Sequence, residues 1–416
     1  MPVFSIIIPA YNNSQYLPEC VRSITEQDFQ DFEIIIVDDA SSDNTYATAS
    51  SLAGKDNRIT ALRHKCNRGT LAARATGVSA ARGDFILLID QDDELAAGTL
   101  SQLAAFAESH PADIYHYGVQ VVSSTPAAQH AAAGMTAFLT PTPRTLHAQD
   151  ILKTQFAEQN NFDWHVHHKM YRADLMKRAY AMATDERLIL SDDLYMCFIL
   201  DSLAETYCAI PNSPWYIYHL GRGDTFGEAA TIDRIDRLAY WESEAFRHIK
   251  DFVKSQRASI PRNDWDQRVQ DAGTRLIEHT MNEWKDALPS CNQDEGLRSI
   301  SRHWPADMIC AEIYRYVRDH AYAYYVNPDK NSPTAANDKS EALRFLNMAK
   351  TLEQQHADMS SIHNKHYEGL KNIAFRHLSD GGLIPAQQGA PHEHRSNGTR
   401  SVLLRLISTI KRKRTH

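Results

Sequence analysis

The sequence has 416 residues, 43% hydrophobic and 23% charged. This is ordinary globular composition, and it excludes a fully disordered or fibrous chain. Its 44 basic residues against 52 acidic ones leave a formal charge of −8, which argues against a protein whose whole surface grips nucleic acid.

At roughly 100–200 residues per domain, the length predicts two or three domains. No stretch of about 18 apolar residues occurs, so no membrane span is expected. The chain opens on Val3-Phe4-Ser5-Ile6-Ile7-Ile8 with no basic n-region and no cleavage pattern. It reads as a first strand and not as a signal peptide. Cys20, Cys66, Cys197, Cys208, Cys291 and Cys310 show no C-x-x-C spacing. Reduced thiols in a cytoplasmic protein are expected, with neither a zinc ribbon nor a disulfide framework.

Strand patterns at Val3–Ile8, Phe32–Val37, Ile59–Arg63 and Phe85–Ile89 alternate with amphipathic stretches at Ser14–Glu26, Asn44–Leu52 and Gly69–Ala81. This alternation predicts an α/β domain, with a mostly parallel sheet covered on both faces. Such sheets bind ligands outside the carboxyl ends of their strands. Asp113–Val122 follows as a strand, and Ser123–Pro143, rich in Ala, Thr and Pro, reads as a loop. From Ile232 on the period is helical, near 233–257, 263–288, 306–325, 335–356 and 358–378. Pro261, Pro289, Pro305 and Asn327-Pro328 separate these helices. Many aromatics there, such as Trp241 and Tyr314, fall at core spacing, and a minority suit an acceptor groove or a dimer interface. Residues 380–399 read as a flexible linker. The predicted division is 1–230, an α/β domain; 231–379, an α-helical domain; and 380–416, a linker with a basic tail.

The first strand ends in Pro9-Ala10-Tyr11-Asn12, the second in Asp38-Asp39-Ala40-Ser41-Ser42-Asp43, and the fourth in Asp90-Gln91-Asp92-Asp93. Carboxylates so clustered repel one another unless a cation or a hydrogen-bonding ligand joins them. Hard oxygen ligands suit Mg²⁺ or Mn²⁺ shared with substrate phosphates. Ser42 or Asp43 equally suits a helix N-cap.

These strand ends, with Ser5-Ile6-Ile7-Ile8-Pro9-Ala10-Tyr11-Asn12, Asn67-Arg68-Gly69, Ala73-Arg74 and Gly77 in the same order, resemble family 2 glycosyltransferases of the GT-A fold, bacterial and non-processive in type. The resemblance covers about residues 3–225. It implies a GT-A nucleotide-diphospho-sugar transferase fold followed by the helical region. It also implies an inverting transfer from a nucleotide-diphospho-sugar, UDP-linked by expectation, to an acceptor hydroxyl in cell-surface polysaccharide, capsule or lipid-linked oligosaccharide. By the same resemblance Asp39 accepts a hydrogen bond from the nucleotide base, while Pro9, Ala10 and Tyr11 line base and ribose. Asn67, Arg74 and Gln91 belong to the donor site. Asp92 binds the metal, Asp90 lies near the ribose or sugar and the metal, and Asp93 is a weaker ligand candidate.

Leu190-Ser191-Asp192-Asp193 stands where the family has Glu-Asp, so Asp193 is the expected catalytic base with Asp192 in place of the Glu. An N-cap role is the alternative for Asp193. In Trp164-His165-Val166-His167-His168-Lys169, the aromatic and the basic residue are acceptor-side candidates: Trp164 stacking on a sugar, with His168 and Lys169 beside it. A zinc site on these histidines lacks a fourth ligand of telling spacing. His219 is expected to complete the metal shell and Arg222 to clamp phosphate, although His219 also suits a satisfied strand position.

The tail from Arg400 holds six basic residues and no acidic one, so residues 1–399 carry −14. Leu403, Leu406, Ile407 and Ile410 share one helix face ahead of Lys411–Arg414, a pattern suited to an anionic membrane surface. The expected location is the cytoplasm, with peripheral attachment to the inner face of the membrane through residues 400–416. A partner-binding helix is the alternative. The expected partners are the sugar-nucleotide donor and a carbohydrate or lipid-linked acceptor, with no nucleic acid, and a homo-oligomer stays open. Two rival functions remain. A non-catalytic sugar-nucleotide-binding or assembly module is opposed by the Asp90, Asp92 and Asp193 set. A nucleotidyltransferase would need a Gly-rich basic first loop, which Pro9–Asn13 is not.

Overall fold

β1 (Phe4–Ala10) forms where the sequence has an unbroken apolar run, and all seven of its residues are buried. β2 (Phe32–Asp38) is buried throughout in the same way. Burial on both faces is the signature of a parallel sheet covered by helices on each side. The protein's structure, a computed structural model, describes residues 1–123, 125–156, 163–222, 230–356 and 365–385. The tail at 400–416 and most of the expected linker lie outside the described residues.

Between these strands runs α1 (Leu17–Thr25), with a proline in its first turn. Leu17, Cys20, Val21 and Ile24, spaced i, i+3, i+4 and i+7, form its buried stripe. α2 (Thr45–Ala53), β3 (Ile59–Arg63), α3 (Thr70–Ala80) and β4 (Phe85–Leu88) complete the first half. Then follow β5 (Glu94–Leu95), α4 (Thr99–Ser109), β6 (Ile114–Ser123), α5 (Pro126–Leu139), β7 (Thr145–His147), α6 (Gln149–Phe156), β8 (Lys169–Arg172), α7 (Ala173–Met182), α8 (Asp192–Leu203) and β9 (Thr206–Leu220). The strands make one sheet in the order β3-β2-β1-β4-β8-β6-β9-β5, with β7 also paired to β9. β3, β2, β1 and β4 run parallel. β8 inserts antiparallel between β4 and β6.

Two expectations need correction. Residues 126–139, expected as loop, form α5. Pro126 stands in its first turn, and the Thr125 hydroxyl accepts from the Ala128 amide at 3.1 Å; both are helix-start devices. Neither Ser42 nor Asp43 caps α2. Asn44 is the cap residue, and the Asp43 carboxylate instead accepts from the Thr45 amide and hydroxyl.

α3 lies close against β1. A Cβ on Gly77 would sit 2.3 Å from Ile7 Cγ2. Gly77→Ala is therefore expected to destabilise by about 1–3 kcal/mol through overpacking, the opposite of the gain that alanine gives at an open helical glycine. Urea unfolding reads this directly; an unchanged midpoint would show that α3 lifts away without cost.

Helices α9 (Ile232–Gln256), α10 (Trp265–Asp286) and α11 (Gln293–Ile300) follow. α9 packs on α8 and α10, and α10 on α6. The described residues divide into two compact units, the first of which runs through Glu312. It takes in α9, α10 and α11, beyond the boundary at 230 read from the sequence. The second unit holds most of α12 (Ala306–Val326), α13 (Pro333–Gln355) and α14 (Lys365–Asp380). Within it, the Tyr314 and Tyr367 hydroxyls both donate to Glu353, which also pairs with Lys371 at 2.9 Å. Among the described residues no helix is long and apolar enough to cross a membrane.

Candidate functional site

A cavity of about 500 Å³ opens where the carboxyl ends of β1, β2 and β4 face the N-terminus of α8. Of the residues singled out in the sequence, Pro9, Ala10, Tyr11, Asp39, Asn67, Arg74, Asp90, Gln91, Asp92, Asp192 and Asp193 all line it. The turns that present them are strained. Asn12, Ala40 and Ser191 have φ of +44°, +61° and +61°, left-handed conformations that cost energy in non-glycine residues and gather at functional sites.

At its centre is Arg74 of α3, buried. Its Nη2 donates to Asp90 Oδ1 at 2.9 Å, and its Nη1 to Asp192 Oδ2 at 3.3 Å and to Asp193 Oδ1. Burial works against its charge, but Asp193, Asp90 and Asp192 together outweigh it and push its pKa well above the ordinary value. Arg74 thus ties the end of β4 to the start of α8. Its Nε, also buried, has no hydrogen-bond partner. The sequence implies that Arg74 meets the base or phosphates; in the structure its bonded groups are carboxylates of the chain.

Asp192 and Asp193 occupy the first turn of α8, where the helix dipole favours negative charge. Ser191, not Asp193, is the N-cap residue. Burial, then the adjacent Asp193 charge, push the Asp192 carboxyl up to about 7. Asp193 Oδ2 also accepts from the Val166 amide at 3.3 Å.

Asp39 lies at the inner end of the cavity. Its oxygens accept from the Arg68 amide at 2.9 and 3.0 Å and from the Gly69 amide at 2.7 Å, and they meet His64 Nδ1 at 2.7 Å. These four contacts engage the lone-pair directions of a carboxylate. Asp39 therefore fastens the loop before α3, where a base N–H was expected to bind. Gln91 and the Tyr11 backbone hold each other through two reciprocal hydrogen bonds of 3.0 Å. Asn67 Oδ1 accepts from Arg187 at 2.6 Å, and Arg187 also lines the cavity.

Five expected residues are placed elsewhere. Asp93 turns inward: Oδ2 accepts from the Tyr216 hydroxyl at 2.7 Å and Oδ1 from the His219 amide at 2.8 Å. His219 is buried with Nε2 2.6 Å from Glu94, so it is the satisfied strand histidine and not part of the cavity wall. Arg222 pairs with Glu19 at 2.9 Å and lies over the Tyr16 ring, and it touches the site through the Asp92 carbonyl at 3.4 Å. His168 and Lys169 are buried and committed to Asp163.

Asp163 escaped the sequence reading. It gathers His116, His165, His168 and Lys169 at 2.8–3.0 Å. His116, Asp163 and His168 have the spacing of metal ligands, but the charges are already balanced. Burial opposes both charges, yet the contact between Lys169 and Asp163 keeps the ammonium and the carboxylate ionised. Burial holds both imidazoles below their ordinary pKa, His168 to about 4. A divalent ion would add two uncompensated charges to a dry site, so the cluster does not fit one. It instead fixes the segment that carries Trp164 and the Val166 amide.

Trp164 borders a second cavity of about 220 Å³, which shares Ile189, Leu190, Asp192 and Asp193 with the first. Asp192 and Asp193 thus stand in a wall with a cavity on each side.

The sequence profile of glycosyl transferase family 2 matches residues 5–182. The uncharacterized glycosyltransferase EpsJ of Bacillus subtilis is 32% identical over 200 residues, covering 46% of this chain and 54% of that protein. A Campylobacter jejuni protein named GalNAc(5)-diNAcBac-PP-undecaprenol beta-1,3-glucosyltransferase is 37% identical over 116 residues, covering 28% of this chain and 38% of that protein. The chain thus spans about half, or less, of the length of these relatives. In three dimensions it is similar to the crystal structure of Staphylococcus aureus TarS 1-349, with a TM-score of 0.54 and 18% identity over 85% of this chain and 92% of that one. This likeness speaks to the fold.

Proposed function

We propose that this chain, whose residues 5–182 match the profile of glycosyl transferase family 2, moves a sugar from a nucleoside-diphosphate sugar to an acceptor hydroxyl with inversion. The observation that carries this reading is the single cavity in which Asp90 and Asp92, from the end of β4, face Asp192 and Asp193, from the start of α8. TarS, which shares the fold, has been crystallised in complex with UDP-GlcNAc, and this favours a UDP-sugar donor. The named activity of the Campylobacter relative favours a cell-surface or lipid-linked acceptor.

The residues fit a divalent cation. The cavity wall holds five carboxylates, Asp39, Asp90, Asp92, Asp192 and Asp193, against the two guanidinium groups of Arg74 and Arg187. A diphosphate entering that field without a cation would meet net repulsion. Asp92, with Asp90 beside it, would hold Mg²⁺ or Mn²⁺ through hard oxygen donors. When bound, the ion supplies electrostatic stabilisation of the departing diphosphate.

The chain's own groups do the rest. Pro9, Ala10 and Tyr11 wall the nucleoside, and Asn67 and Gln91 shape its surroundings. Arg74 keeps the carboxylates of α8 and β4 in fixed relation. Asp193 takes the proton of the acceptor hydroxyl. The freed oxygen bonds to the anomeric carbon as the bond to the diphosphate breaks on the opposite face, and the nucleoside diphosphate leaves with that electron pair.

The test is donor hydrolysis and transfer across UDP-, GDP- and TDP-sugars with Mn²⁺, in wild type and Asp92→Asn. Wild type should consume one donor class. Asp92→Asn should need about tenfold or more Mn²⁺ for half-maximal rate, one ligand charge having been removed. Folded protein that binds no donor in the presence of Mn²⁺ would sink the transferase reading, and an unchanged Mn²⁺ dependence would sink the metal assignment.

A further inference from the structure

The segment 189–193 has a second face, closed by helices that lie beyond the family match. Leu238 and Glu242 of α9 and Leu276 and His279 of α10 line the smaller cavity opposite Trp164. Glu242 is 1% exposed. Its Oε1 lies 2.5 Å from His279 Nδ1, and its Oε2 accepts from the Thr280 hydroxyl. His279 Nδ1 is thereby committed, which leaves Nε2 as the ring's other polar edge. The His279 side chain is 42% exposed, and its ring centre lies 5.7 Å from that of Trp164. Burial disfavours the imidazolium, but Glu242 outweighs it and raises the His279 pKa.

We infer that this second cavity is the acceptor subsite, that it holds one ring of a neutral carbohydrate against Trp164, and that His279, positioned by Glu242, hydrogen-bonds to it through Nε2. The inference rests on the reading that the larger cavity takes the donor. Three features specify the occupant. The volume of about 220 Å³ lies below the roughly 300–1,000 Å³ of drug-sized ligand pockets, which suits a single ring. Apolar walls with few polar groups suit a ligand with a C–H face and a fixed orientation. The carboxylates of Asp192, Asp193 and Glu242 outnumber the guanidinium of Arg275 in the lining, which disfavours an anionic group. A hydroxyl of the ring then lies beside Asp193, which lines both cavities, and can reach the donor carbon past it.

Saturation-transfer NMR tests this on the full chain with two kinds of probe. UDP, GDP and dTDP with Mg²⁺ report on the larger cavity. The methyl glycosides of glucose, galactose, mannose and N-acetylglucosamine report on the smaller one. Wild type should bind one nucleotide and at least one glycoside. His279→Ala, at a half-exposed side chain, should weaken the glycoside about tenfold by loss of that hydrogen bond. Leu238→Trp, which fills the cavity, should abolish glycoside binding. Both variants should leave the nucleotide affinity within about twofold. Glycoside binding that survives both variants would overturn the subsite assignment. Nucleotide binding with no glycoside bound would overturn the neutral single-ring occupant. Failure to bind any nucleotide would instead strike the donor reading, and this inference with it.

Discussion

Asp193→Asn is expected to lower kcat for sugar transfer by about 10²- to 10⁴-fold, the range contributed by a positioned general base, while the KM for donor changes little. Asparagine keeps the shape of the side chain, and its one oxygen can accept from either Arg74 Nη1 or the Val166 amide, which hold the two carboxylate oxygens in place, but not from both. It cannot take a proton. Asp192→Asn is the necessary control. Asp192 also lines both cavities and its pKa of about 7 is the value a base operating near neutrality prefers. If Asp192→Asn costs more in kcat than Asp193→Asn, the base is Asp192 and the roles are exchanged. Comparable small losses in both would refute a carboxylate base in this wall.

The second large effect is on stability. Arg74→Met leaves Asp90, Asp192 and Asp193 without the guanidinium they share, and breaking a buried ion pair on one side costs about 3–5 kcal/mol. Urea unfolding at pH 8 should show a loss of that size, and Arg74→Lys should recover little of it, since an ammonium cannot span three carboxylates as a planar fork does. The loss should shrink as pH falls. Asp192, with a folded pKa of about 7 against about 3.9 unfolded, binds more protons folded than unfolded between those values. Its contribution therefore favours folding increasingly as pH falls from about 7 toward 4. Protonation also removes one of the charges that Arg74 neutralises, so the variant suffers least at the acid end. A penalty that is constant from pH 8 to pH 5 would show that Asp192 does not titrate with Arg74.

How much of this was legible depended on the kind of signal each element carries. β1, β2, β3 and β4 could be read because each is a buried apolar run closed by a turn, and their carboxyl ends named most of the cavity wall. α5 was missed because alanine, threonine and proline suggested a loop, although Thr125-Pro126 is a helix-start pair. β8, four residues long, carries too little pattern to announce an antiparallel strand inside a parallel sheet. Arg74 was recognised as a site residue but not as an ion-pair hub, since which carboxylates surround a buried guanidinium is decided by tertiary packing. Asp163 with His116, and Glu242 with His279, are farther still from local reading. Each pair is joined across 47 and 37 positions of sequence, and only the acidic neighbour of the Trp164-His165 cluster offered a hint.

The insertion of β8 between β4 and β6 also sets a timetable for synthesis. Once Leu88 has left the ribosome, β3, β2, β1 and β4 have all they need to assemble, but the outer edge of β4 has no partner until Lys169–Arg172 emerge. At about 5–20 residues per second, that edge waits roughly 4–17 seconds with an apolar strand unpaired, the condition in which nascent sheets recruit foreign strands. The antiparallel strand that bridges β4 and β6 thus ends the exposure of the β4 edge, while β6 still waits for β9.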